Sequence, residues 1–144
     1  IHTVSFQLAK DILAASKYKR RMLISNDRNE ILAFLKRKGS ILLSPSVEAG
    51  YDFKDDMARW QIVAKVPFEY LWSHYIKLNA DRDAKWYSRK AIVRIVQASG
   101  RAVRGVDDYA TTYILDSNFS RLYKMNSEMF PPWYCDALTM IGDK

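Results

Sequence analysis

The chain has 144 residues, 49% of them hydrophobic, which suits one globular domain with its own core rather than a disordered segment. Lysine and arginine number 23 against 16 aspartates and glutamates, and the net charge of +7 favours a polyanionic partner, nucleic acid or phosphate first. The single cysteine, Cys135, excludes an internal disulfide framework and a cysteine-based metal cluster, and no apolar run approaches the roughly 18 residues that span a membrane.

A reducing, cytoplasmic setting fits this cysteine usage, nucleoid-associated if the source is prokaryotic. The start, "IHTVSF", has no basic stretch followed by a long apolar run, so no signal peptide is expected. It also lacks an initiator Met and opens directly on apolar residues, as a fragment of something longer would.

In chain order, "IHTVS" (1–5) reads as a short buried strand and "FQLAKDILAASK" (6–17) as a helix with Leu8, Ile12 and Leu13 on one face. "RMLIS" (21–25) is a second strand. "NDRNEILAFLKRKG" (26–39) is a helix that Asn26 or Asp27 can cap, with Glu30 at capping-box distance and Gly39 as its stop. "SILLS" (40–44) and "WQIVAKV" (60–66, closed by Pro67) are further strands. A mostly helical region covers 72–104, and "YATTYILD" (109–116) is the last strand. A helix capped near Ser117 or Asn118 follows, then a closing helix, "PPWYCDALTMI" (131–141), with proline in its first turn. Strands alternating with helices imply an α/β domain with a mostly parallel sheet covered on both faces. Ligands of such folds gather at the carboxyl ends of the strands, here the loops after Ser5, Ser25, Ser44, Val66 and Asp116.

Two stretches stand out. The loop "SPSVEAGYDFKDD" (44–56) can offer hydroxyls and backbone N–H groups to a phosphate, with Gly50 permitting close approach and Asp52 able to accept from a ribose hydroxyl. Taken alone, it reads first as an ordinary acidic loop with a turn glycine. The second stretch is "QASGRAVRG" (97–105). In a helix from about Lys85 to Arg104, residues Arg94, Gln97, Arg101 and Arg104 fall at offsets of 0, 3, 7 and 10 and form one polar stripe. Two arginines one turn apart match a phosphate. Gly100, which costs about 1 kcal/mol in a helix interior, is expected to let this helix approach a neighbouring backbone or a ligand. A solvated basic face would show the same stripe. Between Pro67 and Lys90, Tyr70, Trp72, Tyr75, Trp86 and Tyr87 interleave with Lys77, Arg82, Lys85, Arg89 and Lys90. These either stack bases and guide a strand, or pack a core and a domain interface. Cys135 reads as a packed thiol, and His2 and His74 have no ligand-spaced partners.

"QASGRAVR" fits Q-x-x-G-R-x-x-R and resembles motif VI of superfamily 2 helicases (97–104). "SPSVEAGYDF" (44–53) resembles motif V, and "IHTVSFQL" (1–8) resembles motif IV, a strand that ends in Thr/Ser and enters a helix. "QIVAKVPFEYL" and "VDDYATTYILDSNF" resemble the segments after motifs V and VI in the XPD/DinG branch. One departure is that the acid usually adjacent to the motif V glycine is here Glu48, with Ala49 intervening before Gly50.

The resemblance covers nearly the whole chain. It implies a single C-terminal, second RecA-like domain over 1–144, a three-layer P-loop NTPase-like fold from an ATP-dependent DNA helicase. No G-x-x-x-x-G-K-[ST] and no D-E-x-H occurs, so ATP and Mg²⁺ would be held mainly by the N-terminal RecA-like domain of a longer chain, and this fragment would be inactive alone with no metal site. The resemblance makes Arg104 the arginine finger, with Arg101 the alternative and Gln97 a phosphate sensor, and places Gly50, Asp52 and Gly100 at the ATP site. Thr3, Ser5, Ser25 and Ser46 would contact the backbone of single-stranded or forked DNA, with no membrane partner. A non-catalytic nucleic-acid-binding or interaction module on the same fold is the alternative.

Overall fold

The computed structural model describes residues 1–45, 58–103 and 107–141. Runs of three or four residues, too short to be helices, form its strands: the apolar β1 (Met22–Ile24) and β2 (Ile41–Leu43), and β3 (Trp60–Val63) and β4 (Thr111–Ile114), which mix apolar residues with Gln61, Thr111 and Thr112. The helices are α1 (Phe6–Ala15), ahead of β1, and α2 (Arg28–Leu35), α3 (His74–Arg82), α4 (Ala84–Ser99), α5 (Asn118–Asn126) and α6 (Pro132–Ala137), between and after the strands. The chain divides into two units, Ile1–Lys65 with Ala98–Leu115, and Val66–Gln97 with Asp116–Lys144.

The first unit carries the strands. β1 pairs with β2 in parallel, Met22 opposite Ile41, and β3 pairs with β4 in parallel, Trp60 opposite Thr111. The expected strand over 1–5 contracts to a bridge at His2, which faces Ser44 on one side and Val63 on the other, both parallel. Its ladder runs from Ile1 N to the Leu42 carbonyl, from Thr3 N to the Ser44 carbonyl, and from His2 N to the Ile62 carbonyl. The opening residues therefore lie between the two ladders. Parallel strands in this position are covered on both faces and read as unbroken apolar runs, which explains Leu42, Leu43 and Val63 in the core beside Ala9 and Ile31.

Local chemistry sets the helix starts. The Ser5 hydroxyl accepts from Leu8 N at 3.2 Å and caps α1. Of the two residues that could cap α2, Asp27 does so, its carboxylate accepting from Glu30 N at 2.8 Å. The reciprocal half of the capping box is rerouted: Glu30 accepts from the Ser25 hydroxyl, and Ser25 accepts from Asp27 N at 3.0 Å. Gly39 follows α2 at φ +75°, where a side chain would run into the Arg21 guanidinium that donates to the Gly39 carbonyl.

The second unit is helical. Ala91, Ile92 and Ile95 of α4 are buried, as are Phe119 and Leu122 of α5. Phe130 ties this unit together, with its ring centroid 6.1 Å from Phe119, 5.2 Å from Tyr123 and 5.4 Å from Tyr134. Ser117 sits at the start of α5 without a side-chain capping bond; Asp116 does that work, accepting from Asn118 N and, through its other oxygen, from Val66 N. The closing helix is shorter than 131–141, ending at Ala137, with Pro132 in its first turn.

α4 stops at Ser99, and Gly100–Ala102 continue as a 3₁₀ turn. The expected helix through Arg104 is therefore corrected, and with it the four-residue stripe. A 3₁₀ turn advances three residues per turn instead of 3.6, so Arg101 leaves the register set by Arg94 and Gln97. Arg94 instead pairs with Glu69, 2.8 Å away.

Candidate functional site

Three buried hydroxyl residues line up where parallel strands end. Thr3, Ser25 and Ser44 are 0%, 7% and 1% exposed, and each follows its strand or bridge at the carboxyl edge. Thr3 donates to the Ser5 carbonyl at 3.1 Å, and Ser44 donates to the Asn26 side-chain oxygen at 3.3 Å. Ser25 is engaged in the α2 capping array. Between Thr3 and the cap Ser5 lies Val4 at φ 52°, a left-handed backbone that a β-branched residue rarely adopts. This forced turn swings the chain from the strand into α1 within a single residue and leaves Ser5 exposed.

The motif-like turn after α4 is anchored to the sheet by a residue that sequence reasoning passed over. Gln61 on β3 is 6% exposed. Its amide nitrogen donates to the Ser99 carbonyl and to the Thr112 hydroxyl, both at 2.9 Å, and its amide oxygen lies 3.1 Å from His2 Nε2. The last carbonyls of an α-helix lack intrahelical partners, and Gln61 supplies one to Ser99 at the point where α4 gives way to the 3₁₀ turn. A glutamine in an apolar strand is the signal that could have found it, because a buried amide demands partners.

His2 is held neutral. Its pKa falls to about 4, first through burial, with a smaller push from the Arg101 guanidinium against an opposing hydrogen bond to Gln61. Arg101 is half-buried in the 3₁₀ turn, close enough for its charge to be felt by His2.

Gly100 is not compressed: a side chain there would meet no described atom within 4 Å. The expected close approach to a neighbouring backbone is thus absent among the described residues, and what the glycine leaves is open space. Gln97 is exposed on α4 in the second unit. Arg104, Gly50, Asp52 and Ser46 lie outside the described residues, so the motif V-like stretch beyond position 45 and the second arginine are known from sequence alone. Among the described residues no three His, Cys, Asp or Glu side chains cluster to hold a metal ion, and no helix is long and apolar enough to cross a membrane.

Parallel strands with helices between them define an α/β domain. Residues 3–136 match the model of the helicase C-terminal domain family, and the chain belongs to that family. Its relatives place it in the XPD/DinG type of superfamily 2. It is 29% identical over 113 residues to the Saccharomyces cerevisiae general transcription and DNA repair factor IIH helicase subunit XPD/RAD3, covering 71% of this chain and 14% of the relative. It is 26% identical over 147 residues to the Caenorhabditis elegans regulator of telomere elongation helicase 1 homolog, covering 91% and 14%. It is 25% identical over 142 residues to the Schizosaccharomyces pombe XPD subunit, covering 85% and 18%. The chain thus spans less than a fifth of the length of these relatives.

Proposed function

We propose that this chain is the second, RecA-like motor domain of an ATP-dependent DNA helicase or translocase, working against an N-terminal RecA-like domain of the same polypeptide. The observation that carries the reading is the family match over residues 3–136, which contains the whole Q-x-x-G-R-x-x-R run. In this reading Arg104 reaches the γ-phosphate as the arginine finger. Arg101 adds a second cation and Gln97 senses the phosphates. Gly50 and Asp52 complete the nucleotide side.

A residue set of two arginines and a glutamine suits a triphosphate and supplies no metal ligand, so Mg²⁺ would be held by the first domain. When bound, ATP and Mg²⁺ supply the phosphoryl chemistry. The task of this chain is to place positive charge where negative charge builds. The open space beside Gly100 is compatible with a ligand or a facing domain at that turn. On the DNA side, exposed Ser5, with Ser46, would face the backbone of a single strand, whose phosphates are the sequence-independent target a helicase needs; Thr3 and Ser25, expected from the sequence to share that contact, are buried with their hydroxyls bonded inside the protein and would shape the strand ends from behind.

The test is ATP hydrolysis by the full-length polypeptide, with and without single-stranded DNA, for wild type and for Arg104→Ala and Arg101→Ala. Loss of a finger should lower turnover by about 10³–10⁵ while ATP binding survives. Turnover unchanged in both variants would remove the arginines from the reaction.

A further inference from the structure

The aromatic stretch ahead of α4 divides into two kinds of ring. Phe68 stacks on Tyr87 with centroids 5.5 Å apart, and the Tyr87 hydroxyl donates to the Glu69 carbonyl at 2.8 Å. Burial, with the nearby Glu69 charge, raises the pKa of that phenol. These rings hold the second unit in shape. Tyr70, Trp72 and Tyr75 are 73%, 86% and 66% exposed, Tyr75 meeting only the edge of Trp86 with centroids 6.3 Å apart. Large aromatic side chains carry the greatest hydrophobic gain on burial, so three exposed within six residues need a reason.

Trp72 lines a cleft of about 740 Å³ together with Leu71, His74, Lys77, Asp81 and Tyr87. That volume lies within the roughly 300–1,000 Å³ of cavities that hold small organic ligands. Its lining holds one cation, Lys77, and one acid, Asp81, within a stretch from Pro67 to Lys90 that has five lysines and arginines against three acids; Glu69 of that stretch pairs with Arg94 and Lys85 with Glu128. Lys90 also stands over the Trp86 ring, 5.5 Å from its centroid.

We infer that this cleft is a stacking platform for single-stranded DNA, with one base against Trp72 and a neighbouring phosphate against Lys77. Aromatic faces interleaved with cations are how single strands are held without regard to sequence, because every base has a π-face and every linkage a phosphate. A protein partner fits less well: the core of a protein–protein patch is depleted of charge, whereas Lys77, His74 and Asp81 share this lining with Trp72. The inference rests on the helicase reading for its choice of nucleic acid, but it uses none of the motif residues. It adds a second contact region, within Val66–Gln97, to the strand ends proposed above.

The experiment is fluorescence anisotropy of a labelled oligo(dT) titrated with the 144-residue chain at several salt concentrations, for wild type, Trp72→Ala, Trp72→Phe and Lys77→Gln. Because Trp72 is almost fully exposed, its truncation leaves no cavity in the core. Trp72→Ala should weaken binding roughly 5- to 100-fold with an unchanged salt slope, since stacking releases no counterions. Trp72→Phe should recover most of the loss. Lys77→Gln should weaken binding and lower the salt slope by about 0.7, the share of one single-strand phosphate. An oligomer of abasic sites should bind wild type more weakly than oligo(dT) does and should bind Trp72→Ala equally well, which tests stacking even if a variant misfolds. Equal affinity of wild type and Trp72→Ala for oligo(dT), equal affinity of wild type for the abasic oligomer and oligo(dT), or no binding by wild type overturns the inference. The helicase reading is judged separately, by ATP hydrolysis in the arginine variants.

Discussion

Replacing Gln61 with leucine should be among the costliest single changes in the first unit. Leucine keeps nearly the same volume, so packing alone predicts little effect. The amide, however, bonds to three groups on three separate segments: the Ser99 carbonyl at the end of α4, the Thr112 hydroxyl on β4, and His2 in the opening bridge. A buried hydrogen bond contributes about 1 kcal/mol net, and a buried partner stripped of its bond costs about 1–3 kcal/mol. Three such losses, partly offset by relaxation and by the apolar gain of leucine, amount to about 2–4 kcal/mol. For a chain of this size that is a fall of roughly 6–15 °C in thermal midpoint. Thr112→Val removes only one of the three bonds and should cost about 1 kcal/mol. Circular dichroism melts of the two variants beside wild type provide the comparison. A Gln61→Leu midpoint within a degree of wild type, or equal to that of Thr112→Val, would refute the view that this amide ties the motif turn to the sheet.

Acidification should act through His2. Its folded pKa of about 4 lies below the ordinary value of 6.5, so between those values the unfolded chain takes up a proton that the folded chain refuses. The His2 contribution is then full above pH 6.5 and falls with pH towards 4, by at most about 3 kcal/mol, beside a loss of the same sign from the buried Ile1 amine, lowered from 8.0 to about 5, that begins near pH 8. Urea midpoints at pH 7 and 4.5 should show a smaller drop in His2→Gln, and an identical drop would exclude His2 as the source. Val4→Gly removes a side chain that is only partly covered from a left-handed backbone position. It should raise stability by up to about 1 kcal/mol, the relieved strain exceeding the entropy that glycine adds to the unfolded chain; a loss measured by urea unfolding would show that the turn is not strained. Gly100→Ala meets open space and no positive φ, so it should stabilise the chain by about 0.4–1 kcal/mol. If a ligand uses that space, ATP turnover of the full-length polypeptide should fall despite the gain. Unchanged turnover would mean that the glycine serves only to end the helix.

The order of elements was legible in the residues. Short β-branched, aliphatic and aromatic runs marked the strands, a cap at Asn26 or Asp27 marked the start of α2, and the proline pair marked the start of α6, because these signals act over a few neighbouring residues. The motif order pointed to the helicase family, which the match over residues 3–136 then showed. Other features depended on partners distant in sequence. Nothing local says that α4 ends at Ser99 rather than Arg104; the bond from Gln61, 38 residues earlier, meets it there. Nothing local says that Glu30 turns to Ser25 instead of closing its capping box, or that His2 sits between two parallel ladders. The aromatic stretch shows the division most clearly. Its composition allows packing and stacking alike, and only the fold decides that Phe68 and Tyr87 stack together while Trp72 stands in water. Periodicity and capping are written in adjacent residues, whereas burial and the pairing of a buried amide are properties of chains brought together from far apart.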